Sequence, residues 1–171
     1  MPPILVREFV PEDEAEEKLA LLPVFLKIWN APENLKYLSH TLIPFASEQV
    51  QAWLENHKQL GGRYFCALDE QDSILGVMVV KEDPLEGFEI YGLGLLPEHK
   101  GRGIGRMLVE QAAVVAESHG FRDVKALVFA DNTAMLCLLL TSGYTPVSME
   151  HHKRSDGADA LWLKRSIGIT R

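Results

Sequence analysis

The segment at positions 89–108, EIYGLGLLPEHKGRGIGRML, constrains the fold of this chain more than any other. It predicts a strand that ends at Leu96, a stop at Pro97, a glycine-rich loop at 100–105, and then a helix. Glycines lack a Cβ, so backbone N–H groups in such a loop can approach phosphate oxygens closely, and the first helical turn adds unpaired donors. The loop also concentrates positive charge, contributed by Lys100, Arg102 and Arg106. The segment therefore indicates a phosphate-binding turn.

Composition places this turn in an acidic globular chain. The 171 residues, of which 47% are hydrophobic and 24% charged, predict a single domain over 1–171 with a buried core. The net charge of −7 disfavours nucleic-acid binding through a broad basic surface. The N-terminus lacks a signal-peptide pattern and no run approaches the ~20 apolar residues that span a bilayer, so we expect a cytoplasmic protein without membrane association. Cys66 and Cys137 lie in apolar runs and are expected to be buried hydrophobes.

The apolar periodicity and the Gly and Pro breaks predict the element order β α α β β β α β α β β. The predicted strands cover 4–9, 63–68, 74–81, 88–96, 123–129, 144–150 and 158–165, and the predicted helices cover 12–29, 47–58, 103–119 and 134–141. The segment at 29–44 has no clean period and carries Pro32 and Pro44, so it is predicted to be a loop or a broken helix. Three consecutive strands in mid-chain form an antiparallel meander, whereas the helix after them is a crossover that places the strand at 123–129 parallel to its predecessor.

Other phosphate and metal motifs fit the sequence poorly. A dinucleotide-binding turn needs Gly-x-Gly-x-x-Gly, but Arg106 or Leu108 occupies the third glycine position in the two possible frames. The Gly-Lys-Ser/Thr of a P-loop is absent from the sequence. The histidine pair at 151–152 is interpreted as part of a polar hairpin tip rather than a metal site, so no metal is expected.

Two segments resemble the GCN5-related N-acetyltransferase family. The first is Leu93-Gly94-Leu95-Leu96-Pro97 followed by Lys100-Gly101-Arg102-Gly103-Ile104-Gly105, which resembles the family's Leu-x-Val-x-Pro strand and Arg/Gln-x-x-Gly-x-Gly/Ala loop. The second, from Asn132 to Gly143-Tyr144, resembles the family's Asn-x-x-Ala to Gly-Phe segment. The resemblance implies the acyl-CoA N-acyltransferase fold of the α/β (α+β) class. This is a single mixed, mostly antiparallel sheet, flanked by helices, whose central parallel strands splay apart at a bulge.

The resemblance also implies acetyl-CoA as the cofactor. Its pantetheine arm would lie in the gap between the splayed strands, where Leu93 and Leu95 would offer backbone groups. The N–H of Leu95 would face the thioester oxygen, and Asn132 would hydrogen-bond to the cofactor from the next helix. The pyrophosphate would lie on the glycine-rich loop, whose implied cofactor-binding residues are Lys100, Gly101, Arg102, Gly103, Ile104, Gly105 and Arg106.

The implied reaction is direct attack of a neutral amine on the thioester, so an ammonium group must first lose a proton. Glu89 stands where some family members carry a glutamate base that acts through water, although an ordinary solvent-facing strand glutamate is the alternative. Tyr91, on the same strand face by the period of two, would relay a proton or line the pocket. Leu139 replaces the tyrosine that protonates the leaving thiolate in many relatives. Either water, Tyr144 or Tyr91 would then take that role, or no acid is used.

Two functions therefore stay open. One is acetyl-CoA-dependent acetylation of a primary amine on a small molecule or peptide. The other is a catalytically weak or inactive acyl-CoA-binding module, which Leu139 favours. By the same resemblance, the acceptor would be bound by the segment at 29–53, the hairpin at 151–159 and the strand around Glu89, and a homodimer would form through the terminal strands.

Overall fold

The computed structural model describes residues 3–10 and 14–168, with only the backbone described for 14–19. The strands are β1 (Leu5–Phe9), β2 (Gly62–Leu68), β3 (Ile74–Asp83), β4 (Gly87–Leu95), β5 (Asp123–Phe129), β6 (Thr145–Glu150) and β7 (Ala160–Ser166). The α-helices are α1 (Glu14–Trp29), α2 (Pro32–Leu38), α3 (Ser47–Gln59), α4 (Ile104–Ser118) and α5 (Thr133–Thr141). Apart from α2, these bounds lie within two residues of the predicted ones, and the predicted start of α1 at 12–13 lies outside the described residues.

All seven strands belong to one sheet, in the order β1-β2-β3-β4-β5-β7-β6. Five of the neighbouring pairs are antiparallel, and β4 and β5 form a parallel pair. The parallel pair arises because α4 carries the chain across the sheet between these two strands. The predicted fold class, a mixed and mostly antiparallel sheet with a central parallel pair, is therefore confirmed.

Hydrophobic side chains cover both faces of the sheet centre. On β3, Met78 and Val80 point to the core beneath α4, whereas Val77 and Val79 point to the core beneath α1 and α3. A strand that is buried on both faces has no polar alternation, which explains the continuous apolar run in this part of the sequence.

A bulge in β4 separates the parallel strands. Val79 pairs with Gly92 and Val80 pairs with Ile90, so Tyr91 is an extra residue that has no partner on β3. An inserted residue of this kind bends its strand and increases the local twist. The pairing of β4 with β5 ends at the same place, with Ile90 opposite Ala126, and the two strands diverge beyond it.

The segment predicted as a loop or broken helix follows the second alternative. The helix breaks after Trp29, and α2 begins at Pro32, because the missing N–H of proline is harmless at the first helical position. One prediction about local structure was wrong. Cys137 is exposed rather than buried, since it lies on the outer side of α5, while Cys66 is buried as predicted. In the described part of the chain, no helix is both long and apolar enough to cross a membrane.

Candidate functional site

A cleft of about 980 Å³ opens where β4 and β5 diverge. Its walls come from the end of α1, from α2, α3 and the loop between them, from the glycine-rich loop, and from the start of α5. Ten of the implied site residues line it: Glu89, Tyr91, Leu93, Leu95, Lys100, Gly101, Gly103, Gly105, Arg106 and Asn132. Arg102 and Ile104 are outside this lining. Ile104 is fully buried in the core, and the Arg102 guanidinium lies 2.8 Å from His99 Nδ1.

The backbone of β4 presents hydrogen-bonding groups to this cleft. Leu96 N–H donates to the carbonyl of Leu75 on β3 at 2.9 Å, and successive residues of an antiparallel strand alternate in direction. The backbone groups of Leu93 and Leu95 therefore point away from β3, towards the gap that β5 has left. The carbonyl of Leu95 accepts a hydrogen bond from Asn34 Nδ2 at 2.9 Å, so its N–H faces the cleft on the same side.

Asn34 is a site residue that the sequence analysis did not identify. Its buried amide group donates to the carbonyls of Ile28 at 2.7 Å and Leu95 at 2.9 Å, and thereby joins α1 and α2 to the end of β4. It lies in the segment predicted as a loop or broken helix, where no periodic pattern marked a polar residue as buried. Asn34 thus fixes the position of the Leu95 peptide.

The glycine-rich loop has the backbone geometry of an anion site. Gly101 and Gly103 have φ angles of +75° and +79°, and a Cβ at either position would meet no atom within 4 Å. The left-handed backbone, rather than crowding, therefore requires glycine at both positions. Gly103 immediately precedes α4, whose first-turn N–H groups have no partner within the helix. A Cβ on Gly105 would lie 3.1 Å from Leu138 Cδ2, because α4 and α5 approach closely there.

The cations of the loop have partners of their own. Lys100 Nζ lies 3.5 Å from a carboxylate oxygen of Glu33. The Arg106 guanidinium donates to Thr141 Oγ1 at 2.7 Å and to Ser142 Oγ at 3.3 Å. Positive charge therefore lines the cleft at this end through Lys100 and Arg106, held beside the left-handed glycines.

Glu89 is a half-buried carboxylate between two lysines. Its register partners are Lys81 on β3 and Lys125 on β5. Burial raises the pKa of Glu89 above its ordinary value of 4.5, while the positive charges of Lys125 and Lys81 oppose the rise and the carboxylate of Glu150 adds to it. Among the described residues Glu89 makes no ion pair. It is thus a better proton acceptor than an ordinary strand glutamate.

Tyr91 lies at the bulge with 46% of its surface exposed. Its ring is nearly parallel to that of Trp53, with centroids 6.0 Å apart, and Lys81 Nζ lies 4.6 Å from its centroid. Because Lys81 is also the cross-strand neighbour of Glu89, Tyr91 and Glu89 lie on the same side of the sheet, as the sequence predicted. The phenol is therefore close to the carboxylate along the cleft.

The residues considered for protonating a leaving group lie elsewhere. Leu139 is fully buried in the core, and its neighbour Leu138 lines the cleft instead. The Tyr144 hydroxyl is buried without a hydrogen-bond partner among the described residues, and Tyr144 is not part of the cleft wall. Burial raises the pKa of Tyr144, which makes it a weaker acid. The structure therefore argues against Tyr144 in this role. Tyr91, water and the absence of any acid stay open.

Arg154 fixes the predicted acceptor hairpin beside the cleft. It is 2% exposed and donates to both carboxylate oxygens of Asp131, at 3.1 and 2.7 Å, and to the carbonyl of Lys36 at 2.9 Å. It also forms two hydrogen bonds to Asp156, and its guanidinium lies 4.9 Å from the Phe129 ring centroid. Arginine in a polar hairpin carries no sequence signal of burial, so this contact between residues 118 positions apart was missed.

The fold and the cleft together define a class of protein. A mixed sheet whose parallel strands splay beside a glycine-rich helix start is the architecture of the acyl-CoA N-acyltransferases. A GNAT superfamily phosphinothricin acetyltransferase from Sinorhizobium meliloti, solved in complex with AcCoA, has the same fold with a TM-score of 0.75. The match covers 96% of this chain and 89% of that chain at 18% identity, so the likeness concerns the fold.

The family follows from the sequence comparisons. Residues 25–144 match the model of the Acetyltransferase (GNAT) family, and the chain belongs to that family. It is 36% identical over 86 residues to a mycothiol acetyltransferase of Jonesia denitrificans, which covers 50% of this chain but 27% of that protein. It is 31% identical over 94 residues to the N-alpha-acetyltransferase RimI of Mycobacterium tuberculosis, covering 54% of this chain and 58% of the relative. The chain thus spans about a quarter of the length of the first relative.

Proposed function

We propose that this chain is an N-acetyltransferase that moves an acetyl group from acetyl-CoA to a primary amine. The observation that carries the proposal is the cleft between β4 and β5. There, backbone groups of β4 that point away from β3 lie at one side, and the left-handed glycines at the start of α4 lie at the other. Family membership supports it, as do relatives named mycothiol acetyltransferase and N-alpha-acetyltransferase. The acceptor is a small molecule or a peptide.

The described residues fit such a cofactor. Bare glycines at 101 and 103 leave room for a pyrophosphate against their N–H groups, with Lys100 and Arg106 beside it. The outward backbone groups of Leu93 and Leu95 would hydrogen-bond to the pantetheine as an adjacent strand would. When bound, acetyl-CoA would supply an activated acetyl thioester. The N–H of Leu95, held in place through Asn34, would stabilise negative charge on the thioester oxygen, an effect typically of about 3 kcal/mol for a well-placed donor.

Glu89 would accept the proton that the ammonium group must lose before direct attack. Glu89 lies six residues before Leu95, a rise of about 20 Å along an ideal strand. The proton would therefore pass along a chain of waters in the cleft, in which the hydroxyl of Tyr91, two residues closer to Leu95, would be one relay. A half-buried carboxylate with a raised pKa suits this role, because it accepts a proton more readily than a solvated one.

The cofactor site is tested by a matched pair of variants, Gly103→Asp and Gly120→Asp. Both glycines have a φ near +80° and no atom within 4 Å of an added Cβ, so the strain of substitution is alike. Gly103 lines the cleft, whereas Gly120 ends α4 at the other side of the molecule. We expect acetyl-CoA to raise the melting temperature of the wild-type protein and of Gly120→Asp but not of Gly103→Asp. Equal responses of the two variants would refute the site.

The second candidate is an acyl-CoA-binding module without turnover. It is favoured by the absence of a tyrosine at 139 and by the position of Tyr144 outside the cleft. Release of CoA from acetyl-CoA, measured with a panel of primary amines, separates the two. Saturable cofactor binding with no amine-dependent release would establish the binding module and reject the enzyme.

A further inference from the structure

One wall of the cleft is built from aromatic side chains. The Trp29 and Trp53 rings meet edge to face at 5.0 Å, Phe45 lies 6.1 Å from Trp29, and Tyr91 stacks near Trp53 at 6.0 Å. All four line the cleft, and we name them the aromatic wall. Trp29 is buried, Phe45 and Trp53 are partly exposed, and Tyr91 is exposed. The exposure of the aromatic side chains therefore increases from the core towards the mouth of the cleft.

The α2–α3 loop extends this wall with a further apolar surface. Ile43 lines the cleft and is 67% exposed, and Leu38 lines it from the end of α2. The Phe45 backbone N–H donates to Asn30 Oδ1 at 2.7 Å, and Asn30 Nδ2 donates to the Phe45 carbonyl at 2.9 Å. The loop is therefore held to the end of α1, and its exposed apolar groups face the cleft from a fixed position.

Charge is distributed unevenly along the cleft. Within the part of the chain that the structure describes, the Lys, Arg, Asp and Glu residues lining it are Glu33, Glu89, Lys100 and Arg106. Lys100 and Arg106 belong to the glycine-rich end, where Glu33 pairs with Lys100. Of these four lining residues, Glu89 is the one beside the aromatic wall, two residues from Tyr91 on the same strand.

The basic residues nearest to Glu89 are held outside the cleft wall. Lys81 Nζ lies over the Tyr91 ring and Lys125 Nζ lies 5.4 Å from the Trp162 ring centroid, and neither lysine lines the cleft. The buried Arg154 is engaged by Asp131 and Asp156. An ammonium group beside the aromatic wall would thus meet the Glu89 carboxylate. Lys81 lies against the Tyr91 ring but outside the cleft lining, so a carboxylate there would meet no cation among the lining residues of this end.

We propose that the acceptor is a primary amine carried on a flat apolar body, without a carboxylate next to the amine. The body would stack against Trp53 and Tyr91. The amine would lie in the cleft between Glu89, which would take up its proton through water, and Leu95, where the thioester would be attacked. This inference rests on the proposed acetyl transfer and narrows its substrate class. The proposed substrate class excludes amino acids. An enzyme that acetylates amino acids is expected to have a cation beside the amine site that pairs with the carboxylate of the substrate.

The test compares three amines that differ by one feature each: 2-phenylethylamine, butylamine and phenylalanine. We expect kcat/KM for 2-phenylethylamine to exceed that for butylamine by about tenfold or more, because the ring buries more apolar surface. We expect phenylalanine to fall about tenfold or more below 2-phenylethylamine, because its carboxylate would be desolvated without a partner. A preference for phenylalanine or for butylamine would overturn the proposal.

Variants assign the preference to the wall. Trp53→Ala should reduce the ratio of kcat/KM for 2-phenylethylamine over butylamine by about tenfold. Ile43→Ser, at a position exposed enough to leave folding intact, should also reduce this ratio. Trp162→Ala, which replaces a tryptophan outside the cleft, should leave this ratio unchanged. A ratio that neither Trp53→Ala nor Ile43→Ser changes would overturn the proposal. The ratio is insensitive to a loss of folded protein, since both amines are measured on the same sample.

Calorimetric binding of the three amines to the CoA-loaded protein keeps the two proposals separable. If no amine is acetylated but 2-phenylethylamine binds most tightly, the acetyltransferase proposal fails and the assignment of the aromatic wall stands. If amines are acetylated but bind and react in another order, acetyl transfer stands and the substrate class is wrong.

Discussion

Replacing Arg154 by methionine should destabilise the protein and loosen the acceptor side of the cleft. Methionine keeps an apolar chain against Phe129 but removes five hydrogen bonds, to Asp131, Asp156 and the carbonyl of Lys36. Removing one partner of a fully buried ion pair costs about 3–5 kcal/mol. Here the carboxylates left behind are 37% and 41% exposed and can be hydrated, so we expect about 2–3 kcal/mol.

That loss corresponds to a fall in melting temperature of about 5–10 °C for a chain of this size. The matched control is Arg7→Met, which breaks an Arg–Asp pair at 3.1 Å whose side chains are 56% and 72% exposed. Such exposed pairs contribute about 0–1 kcal/mol, so the control should melt within a few degrees of the wild-type protein. Arg154→Lys should fall between, because lysine keeps the charge but lacks the planar fork. Equal melting temperatures for Arg154→Met and Arg7→Met would refute the reasoning.

The pH dependence of stability provides a second test of the ion pair between Arg154 and Asp131. Hydrogen bonding and charge from Arg154, with help from Lys36, lower the pKa of Asp131 from 3.8 to about 2. A carboxyl with a depressed pKa in the folded state contributes stability above its unfolded pKa and loses it as pH falls through its folded pKa. The stability gap between the wild-type protein and Arg154→Met should therefore be full above about pH 4 and narrow towards pH 2. Urea unfolding at pH 7 and pH 3 measures it, and a gap that widens at low pH would contradict the assignment.

Three further variants test other parts of the site. Glu89→Gln should lower kcat about 10²-fold. In the wild-type protein we expect kcat/KM to fall as pH drops through the raised pKa of the Glu89 carboxyl, and the variant should lose this fall. A pH profile that is the same in both would exclude Glu89 as the base. Gly94→Ala should lower the free energy of unfolding in urea by about 1–3 kcal/mol, because the added Cβ would lie 2.5 Å from Ile28 Cγ2. The control is Gly87→Ala, which has open space around it and a φ of +96°, and therefore reports backbone strain alone. Leu139→Tyr should destabilise the core without raising kcat, since this position is fully buried outside the cleft; a faster enzyme would show that the tyrosine can reach the cofactor.

Local pattern accounts for what the sequence predicts well. Periodicity and glycine or proline breaks place most elements within two residues, and the crossover helix dictates that β5 runs parallel to β4. The glycine-rich loop is predictable because its signal is contiguous. Left-handed backbone at Gly101 and Gly103 is a property of one short segment and needs no distant partner.

What the sequence does not predict depends on long-range contacts. Asn34 is buried because two carbonyls from separate elements meet its amide, and Arg154 is buried because Asp131 and Lys36 come from other parts of the chain. Neither residue type signals burial by itself. The position of Tyr144 likewise depends on packing beneath α4, so its chemical role could be judged only from the structure.

The short parallel ladder has a mechanical consequence. Three residue pairs, from Phe88–Val124 to Ile90–Ala126, join a four-stranded half of the sheet to a three-stranded half. The β4–β5 pairing that joins the halves is shorter than the strand pairings within them. A ligand lying along the gap would extend the hydrogen bonding of β4 by supplying partners for its outward amides. Cofactor binding should then slow hydrogen exchange at Leu93 and Leu95 and stiffen one half against the other. A cofactor bound in the gap would then act as an additional strand of the sheet.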